Sequence, residues 1–418
     1  MNRSWSMLCR ALGGSATFGV ASLLAPAASA QSETSFDTTR STITGSTRRI
    51  GLGGAFVAIA DDTDGVGINP ASVAVRLPYS WYDWDYGVGL DVAVGAWLPK
   101  NDIYNQGDAS DAKSTALFGS LSAIAYYRHI GFGVAAEAQR NAATRQDQAQ
   151  GIGTNLSAHF GALHASLAYG FLDGQLLLGA GPRFVGVSLS GSASSAPLAA
   201  GVGYEAGVIV KPTLAPYRLA AAVKSPIDAR VRVEPDMAST TVHVPWELAF
   251  GLAYQFGGRP LNPKFVTVDE LARQRQAAPG APLSKAELDR AEGDLFDAYR
   301  ANQRWYLLVS SELSLIQAGR DASPAGPAAS SRPLVSPRLG LETQIVPDRL
   351  RLRAGSYYEP AVTDGAESRV HGTAGFDVRL FEWDIFGFLD PFGYWELSVG
   401  ADAARAFLNT SFSLGFWH

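Results

Sequence analysis

The sequence predicts an all-β fold, a 14-stranded antiparallel transmembrane barrel with an N-terminal plug inside its lumen. Three observations predict it. Stretches of ten or more residues alternate apolar with small or polar side chains, which is the reach of a tilted strand crossing a bilayer rather than of a sandwich strand of about five or six. Hydrophobic residues make up 47% of the chain, yet no window after Ala30 approaches 18 uninterrupted apolar residues, so a helical membrane protein is excluded. Charges fall on one parity of the alternating runs, where hydrocarbon cannot be their surroundings.

The chain opens with an export signal, residues 1–30. Arg3 and Arg10 give a positive start, Ala11 to Pro26 is a small-residue apolar run, and Ala28-Ser29-Ala30 reads as a cleavage site. The apolar run is broken by Gly13, Gly14 and Ser15 and is too short for a membrane anchor. The only cysteine, Cys9, lies before that run, so the mature chain has neither disulfides nor thiol chemistry. Removing Arg3 and Arg10 leaves 32 basic against 39 acidic residues, a net charge of −7, which argues against a nucleic-acid partner.

Residues 31–80 form an arm and a plug. Gln31 to Arg49 is polar and rich in Ser and Thr, an extended or mobile arm. Gly51 to Ala74, GLGGAFVAIADDTDGVGINPASVA, is too short and glycine-rich to be a domain. Gly51, Gly53 and Gly54 permit tight turns and close backbone approach. Phe56, Val57 and Ile59 supply apolar contacts. Asp61 and Asp62 can cap a turn or accept backbone N–H bonds, and Asn69-Pro70 initiates a turn.

Residues 81–418 are the barrel. Fourteen runs lie near 86–98, 114–129, 130–140, 153–170, 174–190, 199–211, 216–233, 241–257, 304–317, 334–346, 349–359, 369–383, 393–403 and 406–417. Short turns at Arg128-His129, Leu172-Asp173-Gly174, Lys211-Pro212 and Pro347-Asp348 alternate with longer polar loops, as in outer-membrane barrels. One parity carries Asp91, Glu205, Glu247, Glu312, Arg338, Glu342, Arg351, Arg353, Asp377, Arg379, Glu396 and Asp402 and is assigned to the lumen. Trp81, Tyr82, Trp84, Tyr86, Tyr126, Tyr127, Trp305, Tyr306, Tyr357, Tyr358 and Trp395 cluster at run ends like interfacial girdles. Residues 258–303 depart from the pattern. Thr267-x-x-Glu270 and Ser284-x-x-Glu287 read as capping boxes, and the strand count places this helical insertion on the short-turn, periplasmic rim.

No catalytic constellation emerges. There is no G-x-S-x-G elbow and no H-E-x-x-H, and His159 and His164 are five apart, so on a strand they face opposite ways. Asp61, Asp62 and Asp64 lack the ligand spacing of a calcium loop, and the glycines of GLGGAF precede no P-loop lysine. The chain is read as a non-enzyme without cofactor or metal.

Gly51 to Ala74 resembles the N-terminal hatch of the long-chain fatty acid transporter (FadL) family of outer-membrane proteins. The matching residues are the GLGGAF start, Ala60-Asp61-Asp62 and Asn69-Pro70-Ala71. Pro245 to Tyr254 and Leu350 to Pro360 are similar to strands of that family. The resemblance implies passive uptake of fatty acids or other hydrophobic compounds by a monomeric barrel, inserted into outer-membrane lipid by the barrel-assembly machinery. It places Gly53, Gly54, Phe56, Asp61, Asp62, Asn69, Pro70 and Ala71 in the gating hatch. It also implies sideways release at a kink in the third strand, for which Gly131 and Gly133 are the candidates. The GGAFVAIADD wording resembles, in addition, a branch of hatch-bearing barrels that act as scaffolds or shuttles in protein secretion.

Overall fold

A computed structural model describes residues 34–37, 43–78, 80–95, 114–147, 152–191, 195–231, 240–276, 280–317, 333–361, 367–382 and 394–417. The expected signal segment, 1–30, lies outside the described residues. Among those described, seventeen strands follow one another: β1 (Thr34–Asp37), β2 (Trp84–Gly95), β3 (Ser114–Tyr127), β4 (Ile130–Asp147), β5 (Ile152–Phe171) and β6 (Leu176–Gly191). Then come β7 (Ser195–Val210), β8 (Tyr217–Lys224), β9 (Ile227–Val231), β10 (Thr240–Val244), β11 (Glu247–Gly257) and β12 (Tyr306–Ile316). The last are β13 (Leu334–Val346), β14 (Leu350–Glu359), β15 (Arg369–Glu382), β16 (Tyr394–Ala404) and β17 (Phe407–Trp417). Fourteen of them, β2–β8 and β11–β17, close into an antiparallel barrel in which β17 returns to pair with β2.

The runs at 216–233 and 241–257 do not each make one strand. Each breaks at a proline, Pro226 and Pro245, which offers no N–H to a ladder. Beyond the breaks, β9 and β10 leave the wall and pair with each other, and β1 adds in parallel to β10. This three-stranded sheet turns Ile227, Ala229, Val242 and Val244 onto Ala162, Val185, Val187 and Ala199 of the inner wall. The arm, expected to be extended or mobile, thus contains an extended, paired strand at Thr34–Asp37.

Alternation sorts the faces as the strand period requires. Val88, Leu90, Phe250, Leu252 and Phe256 are exposed on the outside, a lipid-compatible surface, while Asp91, Glu205, Glu312, Glu342, Asp377 and Asp402 are buried inside. The aromatic girdle is smaller than the sequence suggests. Trp84, Tyr86, Tyr127, Trp305 and Tyr358 are exposed, but Trp81, Tyr126, Tyr306 and Tyr357 are buried. Tyr126 and Tyr127, or Tyr357 and Tyr358, are neighbours on one strand, so only one of each pair can face lipid.

The insertion between β11 and β12 holds α2 (Val268–Arg275) and α3 (Lys285–Asn302), on the same rim as the short turns. Ser284 and Glu287 form a complete capping box at α3, whereas at α2 Thr267 accepts the Glu270 N–H alone. The helices bury Val268, Ala272 and Ala291 around Trp81, whose ring meets Phe296 and Tyr299 edge-on at 6.2 and 6.1 Å. Trp81 is therefore the anchor of this rim rather than a membrane-interface residue.

Candidate functional site: the lumenal segment and its walls

Residues 43–78 run through the lumen as short turns of chain. The helix α1 (Thr47–Gly51) starts at Ser46, whose hydroxyl accepts the Arg49 N–H at 3.2 Å. Gly53 and Gly54 follow with φ of 60° and 74°, the left-handed region that suits glycine. Phe56, Ile59, Ala71 and Val73 are buried with Leu52 and Ile68 in one apolar cluster that includes wall residues Leu177, Ile209 and Leu308, and Val57 is buried as well.

Asp62 behaves as its position suggests and accepts the Thr63 N–H at 2.7 Å, opening a short 3₁₀ turn. Asn69 caps a second such turn, Pro70–Ala74, by accepting the Ala71 N–H at 3.0 Å. Its amide also donates to the carbonyls of Val57 at 3.2 Å and Val208 at 3.4 Å, so one buried side chain ties both halves of the segment to β7. Asp61 has a role that local sequence does not reveal. It is paired with Arg48 at 2.6 Å and with Arg218 of β8 at 3.3 Å.

Arg48 and Glu312 are the two main electrostatic anchors. Arg48 reaches Glu342 of β13 at 2.9 Å while holding Asp61. Burial works against its charge, but Glu342 and Asp61 more than offset this and raise its pKa. Glu312 of β12 accepts the N–H groups of Phe56 and Val57 at 3.0 and 2.9 Å and pairs with Arg338 at 2.6 Å. Arg353 joins Glu342 to Asp377 behind this layer. Sequence reading assigned these wall charges to the lumen but not to the segment. The Arg48-Arg49 pair, one residue before GLGG, is the signal that could have linked them.

Elsewhere the wall meets the segment through glycine. A Cβ at Gly131 would stand 1.5 Å from the Val73 carbonyl oxygen, one at Gly133 2.6 Å from the Val73 side chain, and one at Gly179 2.3 Å from the Pro70 carbonyl oxygen. Gly207 makes room for the Asn69 side chain in the same way. Gly131 and Gly133, the candidates for a wall opening, thus lie where the segment touches the wall, and β4 is paired without interruption to β3 and β5 at both positions.

An opening of the ladder occurs elsewhere. β17 and β2 pair from Asn409 with Gly95 to Leu414 with Leu90, although β2 begins at Trp84 and β17 runs to Trp417. A cavity of about 130 Å³ below the segment is lined by residues of both lips, Gly89, Leu90, Leu414 and Gly415 among them. On the other side of the segment, a cavity of about 100 Å³ combines Phe160, Val185 and Val244 with Arg49, Lys224 and Glu137. In the wall beside it, His164 and Ser166 both contact Glu205, at 2.8 and 3.2 Å, and not each other, so the trio is not ordered as nucleophile, base and acid.

A barrel of fourteen strands, a lumenal segment of this length and helices at one mouth define the comparison to make. A homologue of FadL from Pseudomonas aeruginosa superposes with a TM-score of 0.55 at 13% identity, over 90% of this chain and 97% of its own. The barrel is FadL-like. Two monoaromatic hydrocarbon channels are similar in the same way: TodX (in a deltaS2 mutant), at TM-score 0.51 and 15% identity, over 90% of this chain and 99% of its own, and CymD, at 0.50 and 12%, over 89% and 96%. Neither a family model nor a curated protein sequence matches the chain. The FadL-like fold is of the outer-membrane type, in accord with the exposed apolar band of the wall.

Proposed function

We propose that this protein carries hydrophobic compounds, long-chain fatty acids or aromatic hydrocarbons, passively across the outer membrane. The lumenal segment, including Gly53, Gly54, Phe56, Asp61, Asp62, Asn69, Pro70 and Ala71, is the hatch that gates their passage. The observation that carries this reading is the FadL-like barrel whose bore is filled by a segment held through a small number of separable contacts. A water-filled pore would offer such cargo nothing, whereas transfer from an apolar pocket into lipid costs little.

Release is sideways. On the turn rim, the periplasmic side of barrels of this type, α2 and α3 pack beneath the hatch on Trp81, which hinders an axial exit. The seam between β2 and β17 below Leu90 and Leu414 supports a lateral route better than Gly131 and Gly133, which the hatch covers.

The test is uptake of a labelled long-chain fatty acid and of toluene by cells in which this barrel is the sole candidate transporter. Continuing the β2–β17 register past Leu90 and Leu414 would set Val88 opposite Phe416, and Cys9, in the expected export signal, is the only native cysteine. The pair Val88→Cys/Phe416→Cys is expected to lose uptake when oxidised and recover it on reduction. Full uptake with the disulfide formed removes this exit. Absence of uptake by a well-folded wild-type barrel rejects transport itself.

A further inference from the structure

At the turn rim, a second cavity, of about 150 Å³, lies between the end of the hatch and the helical insertion. Its lining contains four cations, Arg76, Lys211, Arg259 and Lys264, and no carboxylate. Among the described residues, none of the four forms an ion pair. This sets the site apart from the lumen above it, where Arg48, Arg218, Arg338 and Arg353 each have an acidic partner.

Two of the four are buried, Arg76 at 8% and Lys211 at 9% exposure. Arg76 gives one N–H to the Tyr82 carbonyl, while its Nε and Nη1 have no hydrogen-bond partner. Its guanidinium lies 4.5 Å from the centre of the Phe265 ring and 5.2 Å from that of Tyr126. Buried donors without a partner are uncommon, and an anion brought into this mouth would answer both them and the unbalanced positive charge. Most of the remaining wall is apolar or aromatic, with Trp81, Phe265, Leu295 and Tyr299 facing the same space, and Ser80, Asn302 and Gln303 are its neutral polar members.

We infer that this mouth is a binding site for an amphipathic anion, a carboxylate carried on an apolar or aromatic body. The carboxylate would pair with the ammonium of Lys211 in the field of the Arg76 guanidinium, whose buried donors it would reach on a shift of that side chain, with Arg259 and Lys264 at the entrance. The body would lie against Phe265, Trp81 and Tyr299, where ring faces and aliphatic surface exclude water. The inference stands on these residues alone and does not depend on transport, since binding is measured on the purified barrel.

The charge state of Lys211 gives the site a pH dependence. Burial first, and then the nearby guanidinium of Arg218, pulls its pKa down to about 7, against the opposing pull of Asp61. Arg76 of the hatch and Arg259, Lys264 and Tyr299 of the insertion line the same cavity. A bound carboxylate favours the ammonium form. Above pH 7 Lys211 must therefore gain a proton on binding, and affinity falls by up to roughly tenfold per pH unit.

The experiment is calorimetric titration of the folded full-length barrel, in uncharged detergent, with benzoate, with neutral benzyl alcohol and with inorganic phosphate. Benzoate is expected to bind more tightly than either, and roughly tenfold more weakly at pH 8.5 than at pH 7.5. Lys211→Met is expected to weaken benzoate about tenfold, the worth of a hydrogen bond to a charged group, and to flatten the pH profile. The pair Arg259→Gln/Lys264→Gln, at the cavity entrance, is expected to weaken it severalfold and keeps the test open should Lys211→Met not fold. Benzoate no tighter than benzyl alcohol overturns the anion site, and phosphate as tight as benzoate overturns its apolar half. Unchanged affinity in the folded variants overturns the placement.

Discussion

The two walls that hold the lumenal segment share a backbone fit at glycine but differ in charge. Gly340 and Gly355 of β13 and β14 lie against Leu52 and Gly53 much as Gly131 and Gly179 lie against Val73 and Pro70. On one side, β12, β13 and β14 present buried charges, and the segment is attached by Arg48 to Glu342 and by the Phe56 and Val57 N–H groups to Glu312. On the other side, β4, β6 and β7 present bare backbone, with Gly131, Gly133, Gly179 and Gly207 allowing the chain around Asn69 to Val73 to lie against them. Charge pairs can separate and be resolvated in a wet lumen. A steric fit of backbone on backbone has no such intermediate. Under the proposed gating, the Arg48–Glu342 pair and the Glu312 contacts are the ones that would release, and the steric fits at glycine the ones that would hold.

The sharpest way to break this comparison is to add volume to the glycine wall. Gly131→Val is expected to expel the Pro70–Ala74 turn, because its Cβ alone would occupy the position of the Val73 carbonyl. Single-channel conductance in planar bilayers should rise from a closed to an open barrel, with the barrel itself still folded. Wild-type conductance from Gly131→Val would show that the fit is not what seats the hatch.

On the charged wall the expected effects are ordered by redundancy. Glu312→Gln leaves the buried Arg338 without its carboxylate and weakens two backbone contacts, and should cost about 3–5 kcal/mol in thermal or urea unfolding. Arg48→Met should cost less, about 2 kcal/mol, because Glu342 keeps Arg353 and Asp61 keeps Arg218. The reverse order would mean that Arg48, not Glu312, is the main fastening. Asn69→Ala removes a cap and two donated bonds and is expected to cost about 1–3 kcal/mol.

The smallest effect sharpens the picture by its sign. Burial and the neighbouring carboxylate of Asp91 hold Asp64 well above the usual carboxylate range. Between the unfolded value, near 4, and this raised one, the folded state binds more protons than the unfolded state, so stability falls as pH rises. Asp64→Asn removes that fall. It should raise the melting temperature slightly at neutral pH and leave it unchanged near pH 3. Equal melting curves at both pH values would place Asp64 in ordinary solvent.

Much of this was legible beforehand. The alternation at Val88, Leu90 and Val92 or at Phe250, Leu252 and Tyr254 is a local property that survives in the barrel because lipid selects one parity and the lumen the other. The break at Pro245 was harder to read, since Val242 and Val244 continue the same apolar parity as Leu248. Whether they faced lipid or an inner sheet depended on what the chain did at the proline. Asp61 was legible as an acceptor but not as the partner of Arg218, which lies 157 positions away. Gly131 and Gly133 are legible in the sequence only as candidates for a strand kink that the family resemblance implies. Their use as a seat for Val73 required the hatch to be in place.

Period, parity and charge balance are properties of neighbours along the chain, and they determined by themselves a fourteen-stranded barrel with a polar lumen, a glycine-rich N-terminal segment and a helical insertion at the turn rim. Contacts between residues far apart were decided only by closure of the barrel. Closure set which glycines the hatch would touch, which arginine would meet Asp61, where the β2–β17 ladder would end, and which four cations would gather without an acid at the mouth. The physical reason is that a strand's alternation fixes which face a side chain takes, while register and curvature fix what stands opposite it.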